Sequence, residues 1–138
     1  MIELVYYSQA NNDLTAVDIS NILKTARDFN SENQITGCLL YNNNEFLQIL
    51  EGEKKVVMEL FESIKKDKRH SNVMLLALDY KNDKMFDEWS MAFQEIDGTE
   101  QDKKIFSDNI AAFSEITDKP TQVIDLFWAL AKHIANND

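Results

Sequence analysis

Two kinds of polar side chain in the first half of the chain could take part in chemistry, a buried amide and a pair of hydroxyls. Gln48 interrupts the apolar run at residues 46–50, in which both faces of a predicted strand carry hydrophobic side chains. Such a strand belongs in the middle of a sheet, where an unpaired amide would cost about 1–3 kcal/mol. Gln48 therefore either satisfies a loop or backbone group or faces a polar, planar ligand. Tyr6 and Ser8 share one face at the end of the first predicted strand.

Positive charge is concentrated at one place, directly after the second predicted helix. The net charge is −5 over residues 1–52, +2 over residues 53–81 and −7 over residues 82–138. An acidic chain is unsuited to nucleic acid, because phosphate backbones are bound by clustered Lys and Arg. The basic cluster is either a solvated helix end, where cations suit the helix dipole, or a binding site for the phosphate of a small ligand. Its members are Lys65, Lys66, Lys68, Arg69 and His70.

Several classes of site are poorly supplied by this composition. Cys38 is the only cysteine, so an internal disulfide or a Cys/His zinc site is excluded. The chain has no Gly-rich phosphate loop and no nucleophile elbow, and only His70 and His133 could serve as imidazole bases. No secretion signal or membrane-length apolar stretch is recognisable. We therefore predict a cytoplasmic, non-enzymatic protein that binds neither membrane nor nucleic acid.

Hydrophobic spacing predicts the elements that position these side chains. Residues 73–78 are apolar throughout, so that strand is expected to be covered on both faces. Asn30 falls near the end of the first helix, where a capping or turn role is its default explanation. The predicted elements are a strand at 2–9, a helix starting at the capping box Thr15-x-x-Asp18, a hairpin at 35–52 with an Asn-rich turn, a helix from Glu53, strands at 73–78 and 88–96, and helical segments at 99–115 and 120–135.

This order predicts an α+β fold of ferredoxin-like type, βαββαββ, with a five-stranded mixed sheet. Two helices would cover one face, and the two C-terminal helices would cover the other. The predicted division is a core at residues 1–97 and a helical extension at residues 98–138 that packs on the sheet, on a partner, or on both.

Five short motifs in this order resemble those of the BLUF domains, which are flavin-binding blue-light sensors. The resemblance runs over residues 2–96 and suggests a short protein of the stand-alone type. The motifs are LVYYS at residues 4–8, Asn30 followed by ITG at 35–37, FLQILEG at 46–52, DxRH at 67–70 and WSM at 89–91.

The resemblance implies roles for individual residues. Tyr6 matches the tyrosine that gives an electron and a proton to the excited flavin, and Gln48 matches the amide that bridges this phenol and the ring. Asn30 matches the asparagine at the pyrimidine edge. Trp89 and Met91 match the pair that passes the signal on. The full set of implied flavin contacts is Tyr6, Ser8, Ile22, Asn30, Phe46, Gln48, Leu50, Ile64, Lys65, Asp67, Arg69 and His70.

The implied cofactor is FAD, with FMN or riboflavin possible. The implied output is a red-shifted state whose signal passes through the last strand and the C-terminal helices of a homo-oligomer to a separate regulatory protein. Two alternatives remain open at this point. One is a flavin-dependent redox enzyme, and the other is a flavin-free small-molecule or protein-interaction module of similar fold.

Overall fold

Eight elements follow one another in the part of the chain that the computed structural model describes, which is residues 1–86, 89–90 and 121–135. Their order, strand, helix, two strands, helix, two strands and helix, follows the order that the hydrophobic spacing predicts for these parts of the chain. They are β1 (Ile2–Ala10), α1 (Ala16–Glu32), β2 (Thr36–Asn42), β3 (Glu45–Gly52), α2 (Lys54–Lys66), β4 (His70–Tyr80), β5 (Trp89–Ser90) and α3 (Gln122–Ala135).

The strands form one sheet in the order β4-β1-β3-β2-β5. The four long strands are antiparallel, and the two-residue β5 pairs in parallel with β2 at Gly37 and Cys38. The α+β class with an antiparallel sheet is confirmed. Five full strands and four helices were predicted, whereas the described residues contain four long strands, the short β5 and three helices. The rest of the predicted strand 88–96 and the helical segment 99–115 lie outside those residues.

Each face of the sheet packs against different helices because successive strand residues point to opposite sides. On one face, Leu4 and Leu50 pack with Val57 of α2, and Leu39 packs with residues of α1. On the other face, a cluster that includes Val5 contacts α3. None of the helices in the described ranges is long and apolar enough to span a membrane.

The start of α1 and the central hairpin follow local sequence signals. The Thr15 hydroxyl accepts a hydrogen bond from the Asp18 backbone, and the Asp18 carboxylate accepts one from the Thr15 N–H, which confirms the capping box. Asn43 and Asn44 turn the hairpin with φ angles of 51° and 64°. Asparagine tolerates this left-handed conformation, which two-residue hairpin turns need.

Two local expectations are wrong. Strand β4 lies at the edge of the sheet and is not covered on both faces, so Met74 and Leu75 are about half exposed, at 51% and 47%. Asn30 does not cap α1, because Asn33 takes that position and donates its side-chain N–H to the Phe29 carbonyl. The Asn30 side chain is instead buried, inside the last turn of the helix.

Candidate functional site

A cavity of about 340 Å³ lies between α1, α2 and one face of the sheet. Its volume is within the range of small-molecule sites, and its walls are mostly apolar with a few polar groups, as such sites usually are. The sheet contributes Tyr6, Leu39, Phe46 and Gln48; α1 contributes Ile22, Thr25, Ala26, Phe29 and Asn30; α2, β4 and the connection between them contribute Leu60, Ser63, Ile64, Asp67, Arg69 and His70.

Tyr6 and Gln48 form a directly hydrogen-bonded pair in the wall of this cavity. They are register partners on the adjacent strands β1 and β3, so their side chains leave the same face of the sheet. The Tyr6 hydroxyl donates to Gln48 Oε1 at 2.5 Å, and the two residues are only 4% and 2% exposed. The Tyr6 ring packs against Phe61, with 5.7 Å between ring centroids. The bond uses one of the four hydrogen-bonding sites of the carboxamide, which leaves three for other partners.

The Tyr6 phenol is held in its neutral form. Burial raises its pKa well above the ordinary value for tyrosine, and the negative charge of Asp67 raises it further. A neutral phenol is a hydrogen-bond donor to Gln48, whereas a phenolate would be only an acceptor.

Tyr6 is expected to stay protonated at a pH where ordinary tyrosines ionise. The folded state keeps this proton, whereas the unfolded chain loses it above about pH 10, the unperturbed tyrosine pKa. The free energy of unfolding should therefore fall as the pH rises above about 10. An absorbance titration of tyrosinate should therefore count equal numbers of phenolates at about pH 10–11 in the wild type and in Tyr6→Phe. One phenolate fewer in the variant over that range would contradict the prediction.

Asn30 presents a buried amide for which the described part of the chain offers no hydrogen-bond partner. It is 1% exposed and lines the cavity, yet no group within the described ranges hydrogen-bonds to its Oδ1 or Nδ2. Its backbone carbonyl accepts from the N–H of Ile35, which fixes the end of α1 against the start of β2. Since unsatisfied buried polar groups are rare and costly, the orphan amide indicates a ligand with both a donor and an acceptor at one edge. The pyrimidine edge of a flavin has this chemistry.

An ion pair lies at the α2 end of the cavity. Arg69 donates hydrogen bonds from Nε and Nη2 to both carboxylate oxygens of Asp67, at 2.6–3.1 Å. These bonds lower the pKa of the Asp67 carboxyl and raise the pKa of the Arg69 guanidinium. Asp18 of α1 is close enough to add to the effect on Arg69. A guanidinium with remaining N–H groups could thus contact a polar ligand tail at this end.

His70 connects the sheet to the end of α2 rather than presenting a free nitrogen. Its Nε2 lies 2.5 Å from the Ile64 carbonyl, which has no hydrogen to give, so Nε2 is the donor. In the neutral ring Nδ1 then accepts from the Ser8 hydroxyl, 2.9 Å away. The ring also lines the cavity and lies nearly perpendicular to the Phe46 ring, with 6.2 Å between centroids.

The structure brings nine of the twelve implied flavin contacts to the cavity. Ser8 is buried behind it and bonded to His70, and Leu50 lies in the core with Val57. Lys65 is on the surface, paired with Glu62. The backbone of Trp89 in β5 pairs with that of Gly37 in β2, and Met91 lies outside the described residues.

Six further lining residues were not among the predicted contacts. Three of them, Thr25, Ala26 and Phe29, lie three, four and seven positions after Ile22 on α1. This spacing places them on the same helix face, so the signal was present in the sequence. The others are Leu39, Leu60 and Ser63.

Comparison with known proteins gives consistent matches. A family model described as BLUF, sensors of blue-light using FAD, matches residues 1–92. Photoactivated adenylate cyclase subunit beta of Euglena gracilis is 30% identical over 132 residues, covering 95% of this chain and 14% of that protein. The structure "BlsA photo-activated state" is 33% identical with a TM-score of 0.67, covering 99% of this chain and 96% of that chain. "Klebsiella pneumoniae BlrP1 with FMN and cyclic diGMP, no metal ions" is 30% identical with a TM-score of 0.72, covering 94% and 34%.

Proposed function

Because the chain belongs to the BLUF family of blue-light sensors using FAD, we propose that it is a photoreceptor that holds a flavin between α1 and α2. The observation that carries this proposal is the combination, in one cavity, of a hydrogen-bonded phenol and amide with a buried amide that has no hydrogen-bond partner among the described residues. FAD is the proposed ligand. FMN is a second candidate, since one similar structure is described with FMN.

Three polar groups would hold the flavin at different places. Asn30 satisfies its oxygen and nitrogen at the pyrimidine edge, and Gln48 uses hydrogen-bonding sites other than the one bonded to Tyr6 on the nearest ring edge. Arg69, held in place by its hydrogen bonds to Asp67, faces the ribityl and phosphate end. The apolar lining residues, including Ile22, Phe46 and Ile64, cover the ring and exclude water.

A bound flavin supplies absorption of blue light and, once excited, an acceptor for one electron from a nearby donor. Tyr6 is that donor in our proposal. Loss of an electron makes the phenolic proton strongly acidic, so the proton leaves along the existing 2.5 Å bond to Gln48 Oε1. Gln48 can relay a proton because its carboxamide carries both an acceptor and donors. When the electron and proton return to Tyr6, the Gln48 amide is left in a different orientation or tautomer, which changes the absorption of the ring.

The energy of such a rearrangement limits what it can do. One neutral hydrogen bond is worth about 0.5–1.5 kcal/mol, which shifts an equilibrium roughly two- to thirteenfold. Light can therefore bias an interface that is near balance but cannot unfold the domain. We propose that the output is a changed contact of β5 and the helical extension, residues 98–138, with a regulatory protein or a second copy of the chain.

A visible spectrum of the purified protein before and after blue illumination tests the proposed function. We expect a yellow protein whose flavin absorption shifts to longer wavelength on illumination and returns in the dark without a chemical reductant. A colourless protein, after expression with added flavin, would favour a flavin-free binding module. A yellow protein that only bleaches and needs a substrate to recover would favour a redox enzyme.

Replacing Asn30 by alanine is expected to weaken flavin binding without unfolding the protein. The variant loses the hydrogen bonds at the pyrimidine edge, worth about 1–3 kcal/mol, so the Kd should rise roughly 5- to 150-fold. Flavin fluorescence during titration of the apoprotein measures this. Asn33→Ala is the matched control, because Asn33 caps the same helix but its side chain is exposed and donates to the Phe29 carbonyl. Equal affinities for Asn30→Ala and the wild type would contradict the assignment.

A further inference from the structure

A buried charged cluster occupies the face of the sheet opposite the cavity. Glu3 of β1 and Glu51 of β3 are 1% and 0% exposed, and both are flanked on their strands by residues that contact α3. The Lys81 ammonium lies between them, 2.6 Å from a Glu3 oxygen and 2.7 Å from a Glu51 oxygen. The photochemistry proposed above uses none of these three residues, although they are the most deeply buried charges that the described ranges contain.

The cluster attaches two segments to the sheet, the connection after β4 and the start of α3. Glu51 accepts hydrogen bonds from the backbone N–H groups of Met85 and Phe86 at 2.9 and 2.6 Å, which holds the connection from β4 to β5. Glu3 accepts from the Thr121 hydroxyl at 2.5 Å. Thr121 in turn accepts from the N–H of Ile124 and so caps α3. The connection and α3 also touch each other, since the rings of Phe86 and Trp128 are 6.3 Å apart.

The same two strands carry the cluster and the photochemical pair. Tyr6 is in register with Gln48, and Glu3 is in register with Glu51. The two register pairs are three residues apart, about 10 Å along the strands. Because this spacing is odd, their side chains lie on opposite faces of the sheet. A displacement of β1 against β3 at Tyr6 and Gln48 therefore also changes the distance between the carboxylates of Glu3 and Glu51.

The charge balance makes the cluster sensitive to such a change. Two carboxylates share one ammonium, so their mutual repulsion is offset only while Lys81 stays close to both. Burial alone would lower the pKa of Lys81, but its bonds to Glu3 and Glu51 outweigh burial and raise that pKa. In a buried site, a small increase in either distance is poorly compensated because water cannot replace the lost contact.

Building on the proposed function, we propose that Glu3, Glu51 and Lys81 are positioning residues that convey a displacement of β1 against β3 to the 81–86 connection and to α3. Glu51 controls the connection through its two backbone bonds. Glu3 controls α3 through Thr121. The cluster thus links the cavity on one face of the sheet to the helix on the other, along covalent strands and direct hydrogen bonds.

Amide hydrogen exchange of the flavin-loaded full chain, measured in the dark and under blue light, tests this proposal. In the wild type we expect exchange in segments 81–86 and 121–135 to change about two- to thirteenfold on illumination, the range that one rearranged hydrogen bond permits. In Glu51→Gln the spectral red shift should persist, while the light-dependent change in segment 81–86, which Glu51 holds, disappears. If Glu51 had a purely structural role, Glu51→Gln would raise amide exchange equally in the dark and in the light. The ratio of lit to dark exchange rates would then equal that of the wild type.

Asp79→Asn is the matched control, because Asp79 is the register partner of Glu3 on β4, yet it is exposed and bonds only to the neighbouring Tyr80 N–H among the described residues. It should keep the wild-type light response. Thr121→Val decides the question should Glu51→Gln not fold. This variant removes only the hydrogen bond from Thr121 to Glu3, so the light response of 121–135 should be lost and that of 81–86 kept. Thr121→Ser, which keeps the hydroxyl, should restore the response of 121–135.

The outcomes separate this inference from the proposed function. A wild-type protein with no red shift would overturn the proposed function. A normal red shift with unchanged exchange in both segments, or with wild-type light responses in Glu51→Gln and Thr121→Val, would overturn the inference alone.

Discussion

Replacing Tyr6 by phenylalanine is expected to abolish the stable red-shifted state while flavin remains bound. The variant keeps the aromatic ring that packs against Phe61 but loses the hydroxyl that donates to Gln48. Without that O–H, no phenolic electron and proton are available, and the carboxamide has no route to a new hydrogen-bond pattern. A spectrum recorded before and after illumination should show no resolvable shift, whereas flavin content should match that of the wild type.

Tyr7→Phe is the matched control for this prediction. Tyr7 is the next residue on β1, points to the other face of the sheet, and donates its hydroxyl to Glu45 at 2.7 Å. Its removal deletes the same chemical group without touching the cavity, so the red shift should survive. Gln48→Leu should behave like Tyr6→Phe, because leucine offers neither donor nor acceptor. A normal photocycle in Tyr6→Phe or in Gln48→Leu would remove that residue from the mechanism.

The pairing of Tyr6 with Gln48 is the part of the site that sequence reasoning could approach most closely. Strand alternation fixes which residues share a face, so each side chain could be assigned to one face of the sheet from its own strand. Register between strands 42 residues apart is not a local property, and it comes from hairpin geometry and hydrophobic matching. The motif resemblance supplied that relationship before the structure did.

Other features depend on contacts that no local pattern encodes. Residues 73–78 are apolar enough for a central strand, but the chain order makes β4 an edge strand and exposes its side chains. Asn30 and Asn33 are both suited by type to end a helix, and local sequence does not indicate which of them is the cap. The structure places Asn33 at the cap and buries Asn30. Glu3 looks like the polar member of an alternating strand, and the two groups that accompany its burial, Lys81 and Thr121, lie 78 and 118 positions later.

Gly37→Ala is expected to destabilise the protein severely, through the pairing of β2 with β3. Gly37 has a φ of 152°, which side-chain-bearing residues rarely adopt. A Cβ at this position would lie only 2.0 Å from the Ile49 carbonyl oxygen, which is backbone and cannot move aside alone. Backbone strain of about 1–3 kcal/mol adds to an overpacking cost of about 1–3 kcal/mol, against a total stability of roughly 5–15 kcal/mol.

Urea unfolding followed by circular dichroism measures this loss, and Gly52→Ala is its matched control. A Cβ at Gly52 would meet side-chain atoms of Val57 and Ile35 at 3.3 and 3.4 Å, which can shift slightly, so we expect a cost below about 1 kcal/mol. The two variants add the same methyl group to neighbouring strands, so the difference in their stability reports the strained φ and the backbone clash at Gly37 together. Because Leu39 of β2 pairs with Gln48, displacement of β2 should also reduce the amplitude of the red shift. Equal stability of the two variants would show that β2 can move away from Ile49 at little cost, and Gly37 would then have no special role in placing Gln48.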